Sequence, residues 1–287
     1  ERVVCGAGSD EVITLICMAF AAGEGNEVIH TEHGFLMYSI SALSVGAKPV
    51  AAKEKALRAD VDEILNKVTD KTKLVFIANP NNPTGSYLRV DEVYDLRKRL
   101  NDDVILVLDY AYGEYVEHLS DYPDAVELVE KFENIIMTRT FSKIFGIPSL
   151  RLGWAYASKD IVDILNRVRG PFNVSGLAQA AGVAALDGRD FIAESISHNS
   201  KWLDLMSEEI RNLGLTVYPS IANFVLVELE TQKKAHFIFD YLNVRGISTR
   251  LKDSYKLPSC IRISIGLEDE NEIFLQELQN ALKNYTD

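Results

Sequence analysis

A lysine near the middle of the chain has the side chain best suited to covalent chemistry. Lys143 follows the apolar run at residues 135–137 and lies where a strand is predicted to pass into a helix, eight residues before Arg151. A lysine amine has an unperturbed pKa of about 10.4 and is a poor nucleophile near neutral pH. Burial or a neighbouring cation lowers that pKa, and the freed amine can form a Schiff base with a carbonyl compound. The sequence therefore makes Lys143 a candidate nucleophile and Arg151 a candidate neighbouring cation. The alternative is a solvated surface lysine.

A glycine-containing turn near the start of the chain is a candidate anion site. Residues 6–11 are Gly-Ala-Gly-Ser-Asp-Glu and precede a predicted helix, for which Ser9 and Asp10 are both suitable N-caps. Glu11 stands where a dinucleotide-binding Gly-x-Gly-x-x-Gly motif needs glycine, so that motif is excluded. The N–H groups at the start of the helix still suit an anion. An ordinary tight turn with a helix cap is the alternative.

A carboxylate follows one of the most apolar segments. Asp109 comes directly after residues 104–108, and Tyr112 follows three residues later. A carboxylate in this position either caps backbone N–H groups or holds a cation in a partly dry site.

Strand-like and helix-like segments alternate through the first two thirds of the chain. Continuous apolar runs at residues 74–78, 104–108 and 135–137 are typical of parallel strands that are covered on both faces. We predict further strands at residues 3–5, 27–30 and 49–52. We predict helices at residues 9–22, 35–45, 61–68, 90–100, 160–168 and 176–186. This alternation predicts a doubly wound α/β domain, in which ligands bind beyond the carboxyl ends of the strands.

The pattern changes near residue 191. We predict helices at residues 191–213, 234–244 and 270–284, and strands at 216–218, 224–229, 247–250 and 261–265. The predicted fold class is thus α/β, with a doubly wound, mostly parallel sheet in a large domain (residues 1–188) and a smaller C-terminal α+β domain (residues 189–287).

Composition excludes several classes of function. The formal net charge of −12 and the absence of a Lys/Arg-rich block argue against nucleic acid and anionic membranes as partners. The longest uncharged stretch, residues 170–186, contains too many polar residues for a membrane span. Cys5, Cys17 and Cys260 are too scattered for a disulfide framework or a metal site. We expect a reducing, cytoplasmic location and no metal.

Several segments, taken in order, resemble one enzyme family along the whole chain. They are residues 8–11 (GSDE), 33–38 (HGFLMY), 79–85 (NPNNPTG), 109–112 (DYAY), 139–143 (RTFSK), 150–154 (LRLGW), 169–175 (RGPFNVS) and 260–266 (CIRISIG). These segments resemble the fold-type I aminotransferases that use pyridoxal 5'-phosphate (PLP), and most closely the histidinol-phosphate aminotransferase branch.

The resemblance implies a set of cofactor contacts. Lys143 would bond covalently to the cofactor, and Asp109 would pair with its pyridinium nitrogen. Asn82 and Tyr112 would hydrogen-bond the ring O3′, and Phe35 would stack on the ring. The cofactor phosphate would be held by Gly8, Ser9, Asp10, Ser142 and Arg151.

The resemblance also implies the substrates, which are a small-molecule amino donor and a 2-oxo acid. Arg262 would receive the acidic end of the substrate, Arg250 would clamp the phosphate of L-histidinol phosphate, and Asn173 would contact the substrate. A surface salt bridge is the alternative for either arginine. The expected reaction transfers the amino group to 2-oxoglutarate and gives imidazole acetol phosphate and L-glutamate, with Lys143 moving the proton from the substrate Cα.

Three alternatives remain open. They are an aromatic-amino-acid aminotransferase, a threonine-phosphate decarboxylase and a non-catalytic PLP-binding module. A homodimer is expected, because this family builds each site at a subunit boundary. The chain begins at Glu1 without the N-terminal segment of the family, so we expect a segment to precede it.

Overall fold

A seven-stranded, mostly parallel sheet forms the centre of the larger part of the molecule. The computed structural model describes residues 1–116 and 118–286. The strands up to residue 156 are β1 (Val3–Gly6), β2 (Glu27–Thr31), β3 (Lys48–Ala52), β4 (Glu54–Lys55), β5 (Arg58–Ala59), β6 (Thr72–Ala78), β7 (Ile105–Asp109), β8 (Ile135–Thr140) and β9 (Gly153–Tyr156). The order in the sheet is β1-β9-β8-β7-β6-β2-β3, and β4 pairs separately with β5. The pairs among β2, β3, β6, β7 and β8 are parallel, whereas β9 is antiparallel to both β8 and β1.

Helices cover both faces of this sheet. They are α1 (Ser9–Phe20), α2 (Met37–Ser44), α3 (Val61–Leu65), α4 (Val90–Arg99), α5 (Ala125–Lys131), α6 (Lys159–Val168) and α7 (Gly176–Asp187). Alternate residues of the central strands point to opposite faces. Phe76 and Val107 pack with α1 and α6 on one face, while Val75 and Leu106 pack with α4 and α5 on the other. The predicted doubly wound α/β architecture is confirmed.

A second sheet follows the long helix α8 (Arg189–Asn212). After α8 the chain forms, in order, β10 (Thr216–Tyr218), β11 (Phe224–Glu228), α9 (Gln232–Asn243), β12 (Arg250–Lys252), β13 (Leu257–Ser264) and α10 (Glu268–Asn284). The four strands are antiparallel in the order β10-β11-β13-β12. Residues of α8, α9 and α10 form a separate hydrophobic core with this sheet. The predicted smaller α+β part is present, and the division between residues 188 and 189 stays a prediction.

Three local expectations were wrong. The cap of α1 is Gly8 rather than Ser9 or Asp10, and no side chain caps this helix. Lys143 does not lie between a strand and a helix, because the chain after β8 turns back through residues 141–152 into the antiparallel strand β9. Strand β12 begins at Arg250 rather than at residue 247, because residues 246–249 are still turn and extended connection, with Gly246 at φ +80°.

Within the described part of the chain, no helix has the length and apolar character needed to cross a membrane.

Candidate active site

A cavity of about 200 Å³ lies at the carboxyl ends of the central strands. The residues that contribute to its wall come from the ends of β6, β7 and β8, from the start of α1 and from the connection between β8 and β9. Nine of the ten predicted cofactor residues line it: Ser9, Asp10, Phe35, Asn82, Asp109, Tyr112, Ser142, Lys143 and Arg151. The tenth, Gly8, lies directly beside Arg151. The structure therefore brings the predicted cofactor residues together.

Asp109 is the buried carboxylate of this cavity. Strand β7 ends at Asp109, whose exposed fraction is 4%. The hydroxyl of Tyr38 donates a hydrogen bond of 2.7 Å to Oδ2, and Thr138 Oγ1 donates one of 3.1 Å to Oδ1. Burial raises the pKa of the Asp109 carboxyl, while these two hydrogen bonds act to lower it. Two fixed donors thus support a charged carboxylate that burial alone would disfavour, which suits it to face a cationic group.

Lys143 lies in the same cavity with its amine half-buried. Its Nζ atom is 5.3 Å from the centroid of the Tyr112 ring. Burial lowers the pKa of this amine, and the positive charge of Arg262 lowers it further. Arg151 acts in the same direction but is the weakest of the named causes. The main neighbouring cation is therefore Arg262, from the second sheet, and not Arg151 as the sequence suggested.

An anion-binding corner closes one end of the cavity. Gly8 adopts φ +84°, and a Cβ there would lie 2.3 Å from Nη2 of Arg151. Arg151 donates hydrogen bonds to Ser142 Oγ (3.4 Å), to the Pro148 carbonyl oxygen (2.9 Å) and to Asp10 Oδ2 (3.1 Å). Because no side chain caps α1, the N–H groups of its first turn remain available. The N-terminus of α1, the Ser142 hydroxyl and the Arg151 guanidinium group thus lie side by side, and together they suit the binding of a phosphate.

Arg262, on strand β13, does not line the cavity itself but contacts Asn82 of its wall. Its Nη1 donates a hydrogen bond to Asn82 Oδ1, and its guanidinium carbon lies 4.8 Å from the Phe224 ring centroid. Burial raises the pKa of Tyr112 to about 12, and a side-chain hydrogen bond with Arg262 opposes that change. Tyr112 thus keeps its proton near neutral pH and can donate a hydrogen bond.

The other two predicted substrate residues, Asn173 and Arg250, do not line the cavity either. Asn173 donates hydrogen bonds to the Cys5 carbonyl oxygen (3.1 Å) and to Glu11 Oε2 (2.8 Å), so its amide connects the first turn to the segment before α7. Arg250 is exposed, and its backbone on β12 lies opposite that of Arg262 on β13. The geometry gives Asn173 a structural use, and its substrate role stays a prediction.

Sequence reasoning missed the residues that hold Asp109. Tyr38 is fully buried, its ring stacks on Phe76 with centroids 4.8 Å apart, and it reaches Asp109 across 71 positions of the chain. The sequence pointed to Tyr38 only as one tyrosine among the small and apolar residues of α2.

Within the described residues, no group of three or more His, Cys, Asp or Glu side chains could hold a metal ion.

We expect the substitution Tyr38→Phe to impair this site by removing one donor from Asp109. The pKa of the Asp109 carboxyl should rise further, and the acid limb of the pH profile of kcat should move to higher pH. The free energy of unfolding should fall by about 1–3 kcal/mol, because one buried carboxylate oxygen loses its donor. Tyr94→Phe is the matched control, since the Tyr94 hydroxyl donates to Glu127 at the surface. An unchanged acid limb in Tyr38→Phe would remove Tyr38 from this role.

Comparison with known proteins places this geometry in a family. A model of the aminotransferase class I and II family matches residues 1–278. The chain is 48% identical over 283 residues to the histidinol-phosphate aminotransferase of Rhodospirillum centenum, covering 98% of this chain and 78% of that protein. It is 46% identical over 281 residues to the enzyme of the same name from Paramagnetospirillum magneticum, covering 97% and 77%.

A solved structure has the same fold. The histidinol-phosphate aminotransferase of Sinorhizobium meliloti, solved in complex with pyridoxal-5'-phosphate, superimposes with a TM-score of 0.92 at 27% identity. The match covers 98% of this chain and 77% of that one. Because the family model matches residues 1–278 and relatives at 46% and 48% identity cover nearly the whole sequence, the chain belongs to the class I and II aminotransferase family.

Proposed function

We propose that this protein is a PLP-dependent aminotransferase that transfers the amino group of L-histidinol phosphate to 2-oxoglutarate. The observation that carries this proposal is the convergence of Lys143, Asp109 and the corner at Gly8 and Arg151 on one cavity. The relatives at 46% and 48% identity support the choice of donor.

The residues present fit the cofactor. Asp109 offers a buried negative charge that two hydrogen bonds support, and the uncapped start of α1 with Arg151 offers an anion site at the other end of the cavity. Asp109 would face the ring nitrogen, Lys143 would hold the aldehyde carbon, and Arg151 would bind the phosphate. When bound, PLP supplies a ring that accepts electrons from the carbon next to the substrate amine.

The protein's own groups supply proton transfer and orientation. Lys143 would move a proton at the substrate Cα, since burial and Arg262 favour the neutral amine that such a base requires. Asp109 would keep a proton on the ring nitrogen, because a nearby negative charge favours the protonated form. Tyr112 and Asn82 would orient the ring, and Arg262 would bind the acidic end of the substrate.

We propose in addition that the protein works as a homodimer. Large apolar side chains in and next to α7 are exposed, namely Phe172, Leu177, Val183, Leu186 and Phe191, and three of them (Phe172, Val183 and Leu186) line one surface pocket. A patch of this kind marks an interaction surface. Sedimentation equilibrium that shows a monomer at micromolar concentration would contradict this proposal.

A panel of amino donors tests the proposed reaction. With the PLP-loaded protein and 2-oxoglutarate, we expect kcat/KM for L-histidinol phosphate to exceed that for L-phenylalanine by at least about 100-fold, because a site built for a charged group rejects a substrate that leaves it unpaired. Faster turnover of phenylalanine would indicate an aromatic-amino-acid aminotransferase. Release of carbon dioxide from O-phospho-L-threonine would indicate a decarboxylase. Bound PLP without turnover of any donor would indicate a binding module.

A further inference from the structure

The short hairpin formed by β4 and β5 lies beside two loops of the cavity wall. Each of its strands has only two residues. One loop, residues 32–36, carries Phe35, and the other, residues 79–89, carries Asn82. Both of these side chains line the cavity, whereas no residue of the two hairpin strands does so in the described part of the chain. Any effect of the hairpin on the site must therefore pass through these loops.

Glu54 joins the hairpin to the first loop at two points. The backbone N–H of His33 donates to Glu54 Oε1 at 3.1 Å, and Nδ1 of the His33 ring lies 2.8 Å from Oε2. Because a carboxylate accepts but does not donate, the ring carries a proton on Nδ1 and donates it to Glu54. The side chain of Glu54 is 1% exposed and that of His33 is 12% exposed, so water competes little for these bonds. Glu54 thus fixes both the backbone and the ring of His33.

The carbonyl group of His33 connects the first loop to the second. Asn81 Nδ2 donates to this carbonyl oxygen at 3.3 Å and to Thr84 Oγ1 at 3.0 Å. Asn81 is buried and directly precedes Asn82 in the chain. The N–H group of His33 is therefore bound by the hairpin, and its C=O group is bound by the loop of Asn82. Since Phe35 follows His33 by two residues, His33 couples the position of Phe35 to that of Asn82.

The hairpin is also fixed at its other strand. Arg58 donates from Nε to the Tyr87 carbonyl oxygen at 2.8 Å and from Nη1 to Glu92 Oε1 at 2.8 Å. Between the two strands, Ala56 and Leu57 adopt φ of +51° and +59°, a region that residues with a Cβ rarely occupy. Backbone strain of this kind persists only where the surrounding contacts hold it in place. Contacts on both strands therefore hold the hairpin in a conformation that it would not favour alone.

We propose that Glu54 is a positioning residue for the cofactor, and that its hold on His33 fixes the separation of Phe35 and Asn82 across the cavity. The proposed site places Phe35 on the face of the PLP ring and Asn82 at its O3′, so their separation decides how firmly the ring is held. The inference deepens the proposed function and rests on it, because it requires PLP in this cavity. Glu54 does not touch the cofactor and acts only through His33.

The test compares Glu54→Ala with Glu54→Gln and with Glu92→Ala. Alanine removes both acceptors of His33. Glutamine keeps a carbonyl oxygen for the His33 N–H, and its amide N–H can donate to the ring nitrogen of the other tautomer. Glu92→Ala is the matched control, because it releases Arg58 on the opposite strand of the same hairpin and leaves the bonds of His33 in place.

Three quantities are measured, and none of them is an enzymatic rate. They are the Kd of PLP from an absorbance titration of the cofactor-free protein, the visible circular dichroism per bound PLP at saturation, and the Tm of the cofactor-free protein. The visible circular dichroism reports how firmly the ring is held in one orientation, whereas the Tm reports stability alone.

We expect Glu54→Ala to raise the Kd of PLP by about 10-fold, which is the lower end of what one hydrogen bond to a charged group contributes. Its visible circular dichroism per bound PLP should fall, because the ring is held less firmly between Phe35 and Asn82. In Glu54→Gln and Glu92→Ala the Kd should stay within about threefold of wild type, with wild-type circular dichroism. The Tm should fall in Glu54→Ala and Glu92→Ala alike, because each variant loses an ion pair or a charged hydrogen bond.

A merely structural Glu54 would lower the Tm of Glu54→Ala and leave its PLP Kd and circular dichroism at wild-type values, which would overturn the inference. Equal losses of PLP affinity in Glu54→Ala and Glu92→Ala would assign the effect to the stability of the hairpin. Failure of Glu54→Gln to restore affinity would exclude the two hydrogen bonds as the cause. If Glu54→Ala does not fold, His33→Leu takes its place, since it breaks the ring bond alone, and unchanged PLP binding in it would contradict the inference.

The proposed function and this inference fail in distinguishable ways. A wild-type protein that binds no PLP overturns both. A wild-type protein that binds PLP, together with a Glu54→Ala variant that binds it equally well, overturns the inference alone.

Discussion

Replacing Lys143 with alanine is expected to lower turnover by at least about 10³- to 10⁴-fold, because one group supplies both the attachment point of the cofactor and the mobile proton. Lys143 is half-buried in the cavity, and burial and Arg262 lower the pKa of its amine. No other lysine lines the cavity within the described residues. The measurement is the initial rate of L-glutamate formation at saturating PLP, donor and 2-oxoglutarate.

The matched control is Lys159→Ala, because Lys159 is exposed and pairs with Glu1 far from the cavity. This variant should keep wild-type rates. The Lys143→Ala protein should fold normally, because the amine that is removed is only partly buried and its loss deprives no buried group of a hydrogen bond. Turnover within tenfold of wild type would mean that another group performs the proton transfer.

Asp109→Asn is expected to keep the fold and the bound cofactor but to slow proton transfer at the substrate Cα by about 10³-fold. The amide removes the negative charge that we place against the ring nitrogen, so a proton on that nitrogen is less favoured. The fold should persist, because the amide oxygen can still accept from Tyr38 and the amide nitrogen can donate to the Thr138 hydroxyl. The measurement is the single-turnover rate with L-histidinol phosphate, together with the bound PLP determined by absorbance.

Asp121→Asn is the control for this substitution. Asp121 also accepts a hydrogen bond from a tyrosine, Tyr87, at 2.8 Å, but it lies away from the cavity wall. We expect wild-type rates for it. Near-normal turnover in Asp109→Asn would remove Asp109 from the proposed role, and loss of the folded state would assign it a mainly structural one.

Local sequence patterns were sufficient for much of the fold. The apolar runs that became β6, β7 and β8 predicted parallel strands covered on both faces, and this prediction is confirmed. The same pattern placed Asp109 at the carboxyl end of a strand, which is where the cavity lies. These predictions succeeded because burial on both sides of a strand leaves a direct trace in the sequence.

Contacts between distant segments could not be predicted in the same way. The bond from Tyr38 to Asp109 and the approach of Arg262 to Lys143 depend on how separate elements pack. The same holds for Glu54, whose charged side chain on a short strand predicts exposure when it is considered alone. Periodicity shows which face of an element is buried, but it does not show which side chains meet across an interface.

The central claim is that the amine of Lys143 holds the cofactor, and mapping the attachment site tests it most directly. The protein is incubated with PLP, reduced with sodium borohydride and digested, and the peptides are analysed by mass spectrometry. We predict a pyridoxyl adduct on the peptide that contains Lys143. An adduct on a different lysine, or a fully folded protein that carries no adduct, would contradict the claim.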